Sequence, residues 1–477
     1  MTPASRTFGT ADQMRFAAAS GDFNPMHMDP VAARRTQAGA PVVHGMHLLL
    51  WALDALAASG EPPPLRRLRV QFDKFVYLDE PVALGPADRH PDGARLTIFA
   101  GGAPVTRIEV EFGAPGHPGP EVFDAGAPLN PPPVNAQDLD FEALSNRSGR
   151  LAFSASAESV AAMFPAAADW LGRRRVASLG ACTHLVGMVC PGLHSILGEL
   201  KIEAIADRDP DEALAFRVTE TDPRFRLVRL FVRGGGLEGV VVSFARMPPT
   251  TQPGLDSLAG LVEPNAFAGS TALIVGGSRG LGELTAKLIV AGGGRVVVTY
   301  RLGRADAEAV ASEIGRAGGD CQILQFDARA PAEAQLAGLA ETPSHAYYFA
   351  SPPIFKPQRD LFDKGRFDEF TDVYVEGFWR LSRALSARNA AISLFYPSSV
   401  AVAERPRGMT EYAMAKAAGE ALCADMNLSL TPLHVTIWRM PRLATDQTAS
   451  LRRIETAPAV ETLLPIVSEV QSWPRPR

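Results

Sequence analysis

Apolar and polar positions repeat along this chain with different periods, and the changes of period mark its parts. Residues 44–58 (HGMHLLLWALDALAA) are apolar on nearly every helical face, which predicts a helix buried all round. Residues 105–112 (VTRIEVEF) alternate with period two, as a half-buried antiparallel strand does. Residues 69–76 and 95–100 are further strand candidates. The rhythm then recurs: residues 153–164 parallel 8–16, and strand candidates return at 200–205, 216–221, 226–232 and 239–244. After residue 268 it changes. Residues 270–275 read as a strand, 283–291 as a helix and 295–301 as a second strand, the alternation of a parallel α/β sheet. Two proline-rich stretches, 128–133 and 248–253, read as linkers. They divide the chain into domains at 1–127, 134–248 and 268–477.

Length supports that division, since 477 residues exceed one ordinary core. No apolar run of about 18 residues is present, so no membrane span is expected. The first residues lack the apolar segment of a signal peptide, and a cytoplasmic location is expected. A net charge of −5 with both signs interspersed argues against a nucleic-acid partner. Four cysteines make no disulfide framework. Cys182-x-His184 and Cys190-x-x-x-His194 have metal-like residue types but no common zinc spacing, so a core role and no metal are expected.

The chemistry starts at Ser20-Gly-Asp22-Phe-Asn-Pro-Met-His27, which places a carboxylate and an imidazole on either side of an Asn-Pro turn. Such a pair suits general acid/base work, whereas the structural alternative is a capping Asp and a surface His. With Val42-Val-His44-Gly45-Met46 downstream, the stretch resembles the MaoC-like (R)-specific enoyl-CoA hydratases. The resemblance implies a hot-dog fold, with the 44–58 helix at its centre and Asp22 and His27 as the catalytic pair. Gly45 either offers its N–H to a thioester carbonyl at the helix N-terminus or only permits close packing. The second segment looks like a copy without the chemistry: Pro165–Gly172 stands where Asp22 and His27 stand, and Cys190-Pro-Gly192 where His44-Gly45 stands. A degenerate second hot dog would complete one continuous sheet.

In the third segment Gly276-Gly-Ser278-Arg279-Gly280-Leu281-Gly282 lies between a strand and a helix, where dinucleotide pyrophosphate needs a tight turn and a helix N-terminus. The next strand ends in Arg301, which with Arg279 suits a 2′-phosphate and hence NADP. Asp327 is placed to meet the adenine, with Ala328 beside it. Tyr412 and Lys416, four apart, share a helix face, where an ammonium would lower the phenol pKa. Together these motifs resemble the short-chain dehydrogenase/reductases, in particular the 3-oxoacyl-thioester reductases. That implies a doubly wound Rossmann sheet, Ser399 orienting a carbonyl, Tyr412 as acid/base and Lys416 supporting it. Three places depart from the family pattern: Tyr348-Phe-Ala350-Ser351-Pro352-Pro353 replaces Asn-Asn-Ala-Gly, Tyr374 replaces the relay Asn, and Pro441-Arg442 replaces Pro-Gly.

The two chemistries are consecutive. A reductase makes a (3R)-hydroxyacyl thioester, and a dehydratase converts it to the trans-2-enoyl thioester; one chain raises the effective concentration of the shared intermediate. The substrate expected is an acyl-CoA or acyl-carrier-protein thioester, with a homodimer as the candidate assembly. Three alternatives stand beside this reading: the oxidative order, a hydratase/dehydratase whose nucleotide-binding domain is catalytically impaired, and a non-enzymatic docking subunit.

Overall fold

The computed structural model describes the chain apart from residues 1–3, 120–127, 130–132, 154–156, 207–211, 356–360, 389–390, 449–454 and 474–477. Its described residues divide into two compact units, with the boundary between Pro248 and Pro249 inside the second proline-rich stretch. The first stretch lies partly outside the described residues, and Pro128–Leu129 pairs as a short strand rather than running free.

The first unit is built on one sheet of twelve described strands. Its first half supplies β1 (Ala4–Thr7), β2 (Leu65–Phe72), β3 (Pro81–Leu84), β4 (Asp88–His90), β5 (Gly93–Ala100) and β6 (Ala103–Phe112). The second half supplies β7 (Pro128–Leu129), β8 (Ser148–Ala152), β9 (Ser195–Ala204), β10 (Ala213–Asp222), β11 (Leu227–Gly234) and β12 (Leu237–Ala245). The order is β1-β3-β5-β6-β2-β9-β12-β11-β10-β8-β7, so the halves join through the antiparallel pair β2–β9. Side-chain alternation sets that register. Leu68 and Val70 lie opposite Ile202 and Leu200, all buried, while on the other face Arg67 pairs with Glu203 at 2.7 Å and Arg69 with Glu199 at 2.9 Å. A slip by one residue would bury those charges.

Each half contributes one long buried helix. The Gly45–Ala58 helix buries Met46 through Leu53 without a break, which explains its apolar character on every face. Its counterpart runs Arg173–His184 and continues as a π-helical turn, Leu185–Val189. This corrects the expected correspondence of Gly192 with Gly45: Gly192 follows the C-terminal end of the second helix and does not open it. Three arginines at the start of that helix disguise it in the sequence. Arg175 turns inward and donates to the Gly236, Leu171 and Ile205 carbonyls. One hydrophobic core extends through both halves.

The second unit holds a parallel sheet of β13 (Thr271–Val275), β14 (Arg295–Tyr300), β15 (Cys321–Gln325), β16 (His345–Tyr348), β17 (Ser393–Ser399) and β18 (His434–Met440). Its order, β15-β14-β13-β16-β17-β18, is that of a doubly wound Rossmann sheet. The strand order reverses beside β13, and the glycine loop leaves the C-terminal end of that strand.

Candidate active sites

The Asp22/His27 loop is held from within before anything else touches it. Gly21 ends the Thr10–Ser20 helix in the left-handed region at φ 82°, as a helix stop requires. Asn24 caps the short Pro25–Met28 helix by accepting from the Met26 N–H at 2.9 Å. This turn carries Asp22 and His27 towards each other. Asp22 is 1 % exposed, and its Oδ1 accepts from the Asn24 N–H at 3.1 Å. His27 is half-buried, and its Nδ1 donates to the Val42 carbonyl at 2.8 Å, which leaves Nε2 as the free ring nitrogen.

The remaining contacts come from far along the chain. Thr183, on the central helix of the second half, donates to Asp22 Oδ2 at 2.7 Å. A Cβ at Gly187 would clash with the Asp22 carboxylate, so the bare α-carbon there is the space the acid occupies. Asn24 Nδ2 donates to the Gly187 carbonyl at 2.7 Å. His184 packs where a Cβ on Gly21 would lie. Burial lowers the pKa of this imidazole, and attraction to Asp22 opposes the shift. Among the described residues, the second half thus contributes side-chain and backbone contacts to Asp22 and Asn24 of the first. No local signal marks Thr183 or Gly187, because their role depends on a helix packed against a loop about 160 residues earlier.

Asp22, His27 and His44 bring potential metal-ligand atoms within 4.8 Å of one another. The rings of His27 and His44 are stacked at 3.9 Å with planes 27° apart, so their in-plane lone pairs run side by side rather than converging on one ion. The arrangement fits a hydrogen-bonded acid/base cluster. Cys182 and Cys190 are buried thiols pushed up to about 12 by desolvation, unlike the thiolates a zinc site requires.

Gly45 is the first residue of the central helix, where backbone N–H groups have no intrahelical acceptor. It is half-exposed while the residues that follow are buried, and a Cβ there would meet the Phe72 ring at 3.0 Å. Both readings of Gly45 thus have a physical basis.

In the second unit the glycine loop has the shape a pyrophosphate needs. Gly276 and Gly280 have φ of 76° and 60°. A Cβ on Gly282 would strike the Gly276 carbonyl, and one on Gly276 would lie 3.1 Å from Phe349 backbone. Ser278 is buried and Leu281 half-buried at the start of the Gly280–Ala291 helix. Arg301 is exposed just beyond β14. Arg279 is committed elsewhere: its Nη1 pairs with Asp446 at 2.5 Å. Asp327 accepts from the Arg329 N–H at 3.0 Å, and Ala328 beside it is buried.

Ser399 ends β17 and hydrogen-bonds the Tyr412 phenol, while Tyr412 and Lys416 lie on the Thr410–Ser429 helix. The expected lowering of the Tyr412 pKa is not found. Burial raises it, with the Ser399 hydrogen bond opposing. Lys416 is itself desolvated, which brings it down to about 7. Its Nζ donates to the Pro397 carbonyl at 2.7 Å and sits over the ring of Tyr374 at 3.8 Å, with Tyr396 at 5.1 Å and Tyr412 at 5.9 Å. The Tyr374 hydroxyl is turned to Ser351 at 2.6 Å.

Comparison with known proteins agrees with the division into units. Residues 1–84 match the family model described as MaoC like domain, and residues 270–343 match that described as short chain dehydrogenase. The chain joins a MaoC-like domain to a short-chain dehydrogenase domain. The chain is 52 % identical over 44 residues to the (R)-specific enoyl-CoA hydratase of Aeromonas caviae, covering 9 % of this chain and 33 % of that protein. The chain is also 35 % identical over 66 residues to the peroxisomal hydratase-dehydrogenase-epimerase of Saccharomyces cerevisiae, covering 14 % of this chain and 7 % of that protein. It thus spans a third or less of the length of these two relatives. Among solved structures, a putative short chain dehydrogenase from Pseudomonas syringae is 22 % identical, with a TM-score of 0.39 over 44 % of this chain and 92 % of that one. A 3-oxoacyl-[acyl-carrier protein] reductase with bound NAD from Brucella melitensis is 18 % identical, with a TM-score of 0.35 over 42 % of this chain and 79 % of that one. No described helix is long and apolar enough to cross a membrane.

Proposed function

We propose that the MaoC-like unit interconverts trans-2-enoyl and (3R)-hydroxyacyl thioesters, and that the dehydrogenase unit reduces the 3-oxoacyl thioester that precedes them. The observation that carries the first reading is the Asp22 carboxylate, buried, oriented by Thr183 and Asn24, and placed beside an imidazole with one free nitrogen. In hydration, Asp22 takes a proton from water as the water oxygen bonds to C3, and protonated His27 delivers a proton from Nε2 to C2. Dehydration reverses both transfers. The Gly45 N–H is placed to receive the thioester oxygen as negative charge builds there.

Binding of a nicotinamide cofactor is supported by the fit of the glycine loop, whose Gly276 and Gly282 leave room that any Cβ would fill. Gly276, Ser278, Gly280, Leu281 and Gly282 would hold its pyrophosphate, Asp327 and Ala328 its adenine, and Arg301 a 2′-phosphate, the reason for preferring NADP. When bound, the group supplies a hydride. Ser399 would orient the substrate carbonyl, and Tyr412 would give the proton that the reduced oxygen needs. The carrier is CoA or an acyl carrier protein, and a homodimer is the proposed assembly.

A second reading, a hydratase with a slow or idle reductase, is favoured by the ring of Tyr374 against Lys416. The two are separated by following enoyl absorbance with crotonyl-CoA and NADPH consumption with acetoacetyl-CoA. Asp22→Asn or His27→Ala should abolish the first signal, and Tyr412→Phe the second. Full hydration by the Asp22→Asn, His27→Ala double variant would place the site elsewhere. NADPH binding without turnover on either carrier would establish the second reading.

A further inference from the structure

His44 belongs to neither the proposed acid nor the proposed base, yet it touches both. It caps the central helix and is fully buried. Its Nε2 lies 3.0 Å from the Asp22 carbonyl and 3.8 Å from Asp22 Oδ2. Its ring lies flat on that of His27, 3.9 Å between centroids. On the other side Gln13, itself buried, donates to the His27 carbonyl at 3.2 Å and the Val42 carbonyl at 3.0 Å. The Gln13 oxygen lies 3.3 Å from His44 Nδ1, which carries no proton while the Nε2–H serves the Asp22 carbonyl. Gln13 thus braces the carbonyls of His27 and Val42, while His44 holds Asp22 and covers the His27 ring.

The groups facing His44 are Asp22 and His27 from the loop, Gln13 and Phe16 from the first helix, and His47 one turn along its own helix. Only Asp22 can carry a negative charge, and its carboxylate is already hydrogen-bonded by Thr183 and Asn24. Burial, reinforced by repulsion from His27, keeps His44 in its neutral form. A neutral ring stacked on His27 has two effects. It fixes the plane in which Nε2 of His27 presents its proton, and it offers a π face to the imidazolium without adding a second charge. Its N–H at the same time holds the Asp22 carbonyl, and with it the spacing between acid and base.

We propose that His44 is a positioning residue for the hydratase reaction, setting the separation of Asp22 and His27 through its hydrogen bond and supporting the charged form of His27 through its ring. This rests on the hydratase reading above. Two substitutions separate the two contacts. His44→Phe keeps the stacked face and loses the bond to Asp22; His44→Gln keeps a donor of similar reach and loses the face.

With crotonyl-CoA as substrate, both variants should lose about tenfold in kcat with KM changed less than about threefold, the loss corresponding to one hydrogen bond or one close contact. In His44→Gln the alkaline limb of the hydration profile should also move to lower pH by about half a unit, while in His44→Phe it should stay in place. Rates within twofold of the parent in both variants would overturn the proposal. Equal losses with neither limb moved would reduce His44 to scaffolding, which also overturns it. Should neither variant fold, His44→Asn, which shortens the donor and removes the face, replaces them in the same profile, with a tenfold loss in kcat expected and an unchanged rate fatal. Asp22→Asn run in parallel keeps the outcomes distinct, because an active Asp22→Asn rejects the hydratase reading itself.

Discussion

The two candidate sites bury their acid/base groups in opposite ways. Around Asp22 the protein meets the carboxylate with donors, Thr183 on one oxygen and the Asn24 N–H on the other, while the Val42 carbonyl accepts from the His27 ring. Around Lys416 it meets charge with aromatic rings and a single carbonyl, and desolvation wins. Hydrogen-bond donors offset the cost of burying a carboxylate, whereas aromatic rings and one carbonyl offset little of the cost of burying an ammonium.

Breaking the first site should have the largest effect. Asp22→Asn is expected to lower hydration of crotonyl-CoA by about 10²–10⁴-fold, the usual worth of a positioned acid/base group. Thr183→Val, which leaves the acid but removes its orienting donor, should lower it by about 10–100-fold. Steady-state enoyl absorbance measures both, and a Thr183→Val variant with the parent rate would show that the second half only completes the sheet.

The next test changes the aromatic surroundings of the second site. Replacing Tyr374 by Asn removes the ring beneath Lys416 and admits a polar partner. Lys416 should then hold its charge at neutral pH, and NADPH-dependent reduction of acetoacetyl-CoA should rise by about tenfold, the equivalent of one pKa unit. Hydration in the same variant should not change. A reduction rate unaltered by Tyr374→Asn would show that this ring does not limit the reductase.

The smallest effect concerns stability. His47 is buried, and neither ring nitrogen finds a hydrogen-bond partner among the described residues. Its pKa lies well below 6.5, first through desolvation and then through His44. A group whose folded pKa is depressed takes up protons more readily when unfolded. The stability linked to it is therefore full above pH 6.5 and is lost as pH falls from there towards the folded value. His47→Leu should remove that part of the acid sensitivity and, by eliminating an unsatisfied buried donor, raise stability at pH 7 by about 1 kcal/mol. Denaturant melts at pH 5.5 and 7.5 would show it as a smaller gap between the two pH values in the variant. An unchanged gap would mean that other groups carry the acid response.

Much of this was legible beforehand. The glycine loop between a strand and a helix, the Tyr412/Lys416 helix face and the Asp22/His27 turn are all short-range patterns, and each forms where its residues are. The error over Gly192 has the opposite cause. The second central helix begins with three arginines, and only packing shows that Arg175 folds back on three carbonyls and lets the helix be buried.

By itself the sequence determined the elements, their periodicity and the residues able to carry chemistry, because helix caps, strand alternation and glycine turns depend on neighbours within a few positions. Only the tertiary structure decided what surrounds those residues. Thr183 and Gly187 reach Asp22 because the two halves of one sheet join at β2–β9, His44 lies on His27 because a helix start meets a loop, and Tyr374 lies under Lys416 through packing of residues about 40 apart in sequence. Burial and partner geometry set the strength of an acid or base, and both are properties of packed elements rather than of any one stretch of chain.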